Sequence, residues 1–156
     1  MIATTNAVVT TPTISGSSNI SAQGQPGSYH TLVIIHALLL GAAFVIVFPM
    51  GVVGLRLRWA ISFKTHWILQ LFASIGAFIG LGVAIYFSII GIQYDGFSEA
   101  HQIIGISVVA LLACQIGFGY VHHLKFKAIG CRTGSSYIHM WLGRLLIYGG
   151  MMNAVL

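Results

Sequence analysis

The sequence predicts an all-α fold, a multi-pass membrane four-helix bundle, and three observations carry that expectation. Of the 156 residues, 57% are hydrophobic and only 6% are charged, where soluble domains carry roughly 25% charged residues. The apolar residues fall into four runs, each of about 20–25 residues, the length that crosses a bilayer as a helix. Six of the seven Lys and Arg residues gather in alternate connections between those runs. The net charge of +5 forms no basic stripe with interleaved aromatics, so nucleic acid is not an expected partner.

Residues 1–28 are uncharged and rich in Ser, Thr, Gly, Asn and Gln. They lack the basic n-region of a signal peptide and too little of their surface is apolar to offset ordering entropy, so a flexible extracytoplasmic tail is expected. Asn19-Ile20-Ser21 is a glycosylation sequon in it. Residues 29–156 form the membrane domain, with spans at about 30–57, 65–91, 99–124 and 137–156. Pro49 is expected to kink the first span, which a helix bundle tolerates. Arg56-Leu57-Arg58-Trp59 closes it with charge and an interfacial aromatic. Gly76 and Gly80 in the second span make a G-x-x-x-G pattern suited to close helix approach. Cys114 lies in an apolar span and Cys131 in a basic loop, a placement that implies no disulfide framework.

Orientation follows from charge. Arg56, Arg58 and Lys64 lie between spans one and two, and Lys125, Lys127 and Arg132 between spans three and four. Arg144 lies in span four near the same surface, while the loop between spans two and three holds only Asp95 and Glu99. Basic loops stay cytoplasmic, so the N-terminus is expected outside.

Each span carries a histidine near its start: His36, His66, His101 and His139. Ionisable side chains in a membrane are costly and mark function. A lone one is ordinarily an interhelical hydrogen-bond partner, but alternation of helix direction sorts these four into pairs. His36 and His101 fall toward the outer surface, His66 and His139 toward the cytoplasm. Two imidazoles facing each other from different helices suit bis-histidine haem ligation. Two such haems in a slab of about 30 Å would sit about 20 Å apart, iron to iron. Both His101/Gly105 and His139/Gly143 read H-x-x-x-G, a glycine one turn away on the same face, expected to leave room for a flat macrocycle. Zinc would need three or four ligands in one cluster, which histidines split between leaflets do not make. His122 and His123 are expected at the inner headgroups and His30 at the outer ones, each an alternative ligand in place of its neighbour.

The chain resembles the transmembrane core of the cytochrome b-561 family. The likeness runs from about Thr31 to Leu156 through Pro49-x-Gly51-x4-Arg56, Lys64-x-His66-x3-Gln70, His101-Gln102-x-x-Gly105 with Gln115 and Gly119, and His139-x-x-x-Gly143-Arg144 with Asn153. It implies two haem b groups, the outer held by His36 and His101 and the cytoplasmic one by His66 and His139. It also implies transmembrane electron transfer, an oxidoreductase activity, from cytoplasmic ascorbate to an outside acceptor such as monodehydroascorbate, a ferric chelate or a redox partner domain. Lys64 matches the family's donor-binding lysine, and Arg56 and Arg58 are neighbouring candidates, since a cationic rim suits an anionic reductant. Family members ordinarily add a flanking helix on each side of this core, and some follow a DOMON domain. A homodimer is compatible with the sequence but is not read from it.

The rival reading is a small transporter or channel relaying protons or metal ions through the histidines. It requires polar residues at mid-membrane, where Ser74, Ser88, Ser107 and Gln115 make a sparse set.

Overall fold

In the computed structural model, residues 27–57, 62–90 and 96–156 are described, and all the regular structure among them is helical. Arg58, Asp95 and the Asn19 sequon lie outside those residues. Helix α1 runs Gly27–Arg56, α2 Ser62–Ile90, α3 Ala100–Ile129 and α4 Gly134–Asn153. Gly27 and Ser28, assigned to the tail by composition, already belong to α1, where Thr31 Oγ1 donates to the Gly27 carbonyl at 3.1 Å. The third helix extends a turn beyond its expected end near Leu124. It stops at Gly130, whose φ of 76° is left-handed and whose N–H returns to the Phe126 carbonyl. Capping boxes open α3 at Glu99, with Gln102, and α4 at Thr133, with Ser136.

Three of the helices, α1, α2 and α3, are long and apolar enough to cross a membrane by themselves. The expectation of four such spans is met by three. Helix α4 has 20 residues, about 30 Å at 1.5 Å per residue, but His139, Arg144 and Asn153 dilute its hydropathy. Of these, Asn153 is buried and His139 half-buried. The outward faces are apolar, with Leu38, Phe72, Ile79, Tyr86, Ile103 and Leu145 among the exposed large side chains. So extensive an apolar surface is what a bilayer solvates. The chain is an integral membrane protein.

Pro49 lacks an N–H, so the carbonyl one turn before it loses its helical partner. The chain answers with a π-helical segment, Ala42–Val47, placed immediately ahead of the proline. Helix α1 therefore widens and continues rather than breaking.

Two helical hairpins, α1 with α2 and α3 with α4, make most of the packing, and the hairpins touch each other more sparingly. The core is assembled from Ala43, Phe44 and Phe48 of α1, Ala73 and Ala77 of α2, Val108, Val109 and Leu112 of α3, and Leu146 of α4. Ala73, Ala77 and Gly80 share one face of α2, and their small size lets α1 approach. Of the G-x-x-x-G pair, only Gly80 meets α1: a Cβ there would stand 3.0 Å from Leu40, while at Gly76 it would meet nothing within 4 Å. Phe44, its ring tilted against that of Phe48 at 5.0 Å, seats itself against Gly150 and so joins α1 to α4.

Gly150→Leu should therefore force the hairpins apart, a misfit costing about 1–3 kcal/mol and lowering the thermal midpoint in detergent. Gly76→Leu, entering open space, should leave that midpoint within about a degree or two. Fluorescence-detected size exclusion after graded heating compares the two.

Candidate functional site

Four partly buried hydrogen bonds tie His36, His66, His101 and His139 to the bundle, and each runs across a hairpin. His36 Nδ1 donates to the Gly80 carbonyl at 2.9 Å, and His66 Nδ1 to Gly51 at 3.0 Å, so α1 and α2 exchange one bond in each direction. His101 Nδ1 donates to Asn153 at 2.9 Å and His139 Nδ1 to Gln115 at 3.3 Å, the same exchange between α3 and α4. A carbonyl only accepts, so the ring proton sits on Nδ1 and the lone pair on Nε2. That is the arrangement a metal-binding imidazole needs, its second nitrogen held by an outer-shell acceptor that fixes ring orientation and raises basicity.

The spacing explains why the pattern closes. Gly80 follows His66 by 14 residues, Gln115 follows His101 by 14, and Asn153 follows His139 by 14. Fourteen residues of α-helix span about 21 Å, so each helix offers a histidine at one end and a carbonyl at the other. In an antiparallel hairpin the two halves then meet twice. On α1 the interval from His36 to Gly51 is 15 residues. The wider π turn between them absorbs the extra one.

At each of these meeting points, one bulky side chain faces a glycine. Leu40 lies over Gly80, and the amide of Gln70 lies over Gly51. In the second hairpin the sizes are exchanged: a Cβ on Gly105 would stand 3.0 Å from Asn153 Nδ2, and one on Gly143 would stand 2.6 Å from Gln115 Nε2. The glycines of the two H-x-x-x-G motifs therefore make room for the carboxamides of Asn153 and Gln115. This differs from the expected room for a macrocycle, because the face one turn from each histidine turns toward the hairpin partner. Gln115 Nε2 also donates to the His139 carbonyl at 2.8 Å, and Gln70 Nε2 to the Phe48 carbonyl at 3.1 Å.

The tertiary fold brings His36 and His101 together, with ring centres 6.1 Å apart and planes at 75°. Two imidazoles binding one metal ion from opposite sides, each at roughly 2 Å, have centres about 6 Å apart. At the other end of the bundle stand His66 and His139, each bonded across its own hairpin. Among the described residues no three His, Cys, Asp or Glu side chains gather into one metal cluster.

Phe87 stands edge-on to His36 at 5.7 Å and to Tyr29 at 5.6 Å, closing the His36 end of the bundle with aromatic rings. At the opposite end His122, expected among headgroups, lies nearly parallel to His139 at 6.0 Å, and its Nδ1 meets Ser136 Oγ at 2.7 Å. Sequence spacing could not have shown this, because His122 and His139 sit on different helices. His123 stacks on Phe63 at 4.8 Å, linking the end of α3 to the start of α2. Lys64 and Arg56 are exposed, and the Arg144 guanidinium lies 4.7 Å over the Trp141 ring.

Residues 29–156 match the family model described as eukaryotic cytochrome b561. No curated protein and no solved structure matches the chain. The family binds b-type haem and has an oxidoreductase-type role, moving electrons across a membrane between redox partners. The paired imidazoles with free Nε2 atoms fit that group. By the match over most of its length and by this helical membrane core, the chain belongs to the eukaryotic cytochrome b561 family.

Proposed function

We propose that this protein passes single electrons across its membrane through two bis-histidine haem b sites, one held by His36 and His101, the other by His66 and His139. The observation that carries the reading is the set of four Nδ1–carbonyl bonds, one histidine per helix, each leaving Nε2 free. Haem b with two imidazole ligands supplies a reversible one-electron couple and no open position for oxygen.

The residues of this chain do the rest. Gly80, Asn153, Gly51 and Gln115 hold the four rings at their orientations. Phe44, Phe48, Val109 and Leu112 keep water out of the space between the ends. Helix α4 serves as the fourth span, with His139 and Asn153 turned toward α3. Charge distribution supports a cytoplasmic location for the His66/His139 end and an extracytoplasmic one for the His36/His101 end. Lys64, with Arg56 and Arg58, gives the cytoplasmic end a cationic rim that draws an anionic reductant such as ascorbate. The acceptor outside is monodehydroascorbate, a ferric chelate or a redox partner domain. The net change is one electron lost by the donor and one gained by that acceptor.

His66→Ala or His139→Ala should each cost one haem of two, measured as pyridine haemochrome per purified chain, with the remaining spectrum assigned to the outer site. A full two-haem spectrum in either variant would sink the inner assignment. Lys64→Ala should raise the KM for ascorbate about tenfold, the scale of one lost charge contact of about 1.4 kcal/mol. Haem content should not change, and stopped-flow reduction kinetics separate the two effects.

A further inference from the structure

The two hairpins hold their histidines in the same way but with different residues. In the first, the accepting carbonyls belong to glycines, Gly51 and Gly80, which bring no side chain of their own. In the second they belong to Gln115 and Asn153, and each brings a carboxamide to the site. The Gln115 amide cannot be turned round, because its Nε2 is spent on the His139 carbonyl at 2.8 Å and a carbonyl requires a donor. Its Oε1 is then left buried with no hydrogen-bond partner, and Asn153 Oδ1, on a residue 7% exposed, is left in the same state. Among the described residues these are the two buried side-chain polar atoms without a partner. Each belongs to a residue whose backbone grips a histidine, and the pairing of histidines gives one to each end of the bundle.

A buried oxygen without a donor is a cost to folding, and groups kept at such a cost call for a reason. An amide oxygen carries partial negative charge, and in a low-dielectric interior that charge is felt strongly by a neighbouring centre. Beside a site that gains positive charge on oxidation, it favours the oxidised form. The Nδ1–H bond to the backbone acts in the same direction by making the imidazole a more basic ligand.

We propose that Gln115 and Asn153 are positioning residues that lower the reduction potentials of the two haem sites separately, Gln115 acting through His139 and Asn153 through His101. The proposal rests on the haem-ligand reading above. Gly143 and Gly105 belong to the same device, since each leaves the space its carboxamide occupies.

The experiment is a potentiometric titration of the purified haem-loaded protein, followed by absorbance and low-spin electron paramagnetic resonance. Gln115→Met keeps the side-chain length and removes the amide; Asn153→Leu does the same at the other end. The first should move one of the two reduction steps upward and the second should move the other, each leaving its companion in place with haem content unchanged. Gly143→Ala displaces the Gln115 amide without altering Gln115, and should reproduce the shift of Gln115→Met in milder form if that variant fails to load haem. The same steps unmoved in all three variants, or both steps moved together by each, would reduce Gln115 and Asn153 to packing and overturn the proposal. A wild-type protein lacking two separate haem steps would overturn the two-site reading itself, a result visible before any variant is made.

Discussion

His36, His66, His101 and His139 each give the Nδ1 proton to a carbonyl on the partner helix of the same hairpin, and that bond organises much of what surrounds it. It fixes the tautomer, and with it which ring nitrogen is free. It also sets the longitudinal register of each hairpin, because two bonds some 21 Å apart admit only one sliding position. In a bilayer the bond is also obligatory. An imidazole N–H without an acceptor would be stranded where water cannot reach it.

The small residues follow from the same constraint. For a side chain on one helix to reach the backbone of the next, the axes must come close, and only glycine permits that beside a bulky neighbour. Gly80 yields to Leu40 and Gly51 to Gln70, while Gly105 and Gly143 yield to Asn153 and Gln115. Large and small exchange places between the hairpins, so the geometry is kept while the chemistry behind the rings changes. The π segment of α1 belongs here too. Proline removes one backbone donor, the helix widens to accommodate the loss, and the widened turn houses the one residue by which the His36–Gly51 interval exceeds the other three.

Within a hairpin the contacts are dense, and between hairpins they are few. The proposed sites each take one histidine from each hairpin, so they lie at the seam between two tightly built units. Phe44 against Gly150 holds that seam near mid-bundle. Ring clusters close its two ends: Tyr29 and Phe87 at one, His122 and His139 at the other.

How much of this could be read beforehand differs by feature. Composition and run length alone determined a helical membrane protein, because a chain with so few charges has no other stable surroundings. The family's motif residues were visible too, and the start-of-span positions of His36, His66, His101 and His139 fixed which ends they occupy once the helices alternate. The sequence also held Gln115, Asn153, Gly51 and Gly80 in plain sight, four helical turns beyond a histidine, yet did not show that they hold one. A spacing of 14 means nothing until one knows which helix lies alongside and in which direction. That pairing is a tertiary fact, as are the stacking of His122 on His139 and the turning of Gly105 and Gly143 toward carboxamides rather than toward open space. Hydropathy is a sum along one segment and is legible in a string of residues; a hydrogen bond between segments depends on distance in space, and only the packed bundle supplies it.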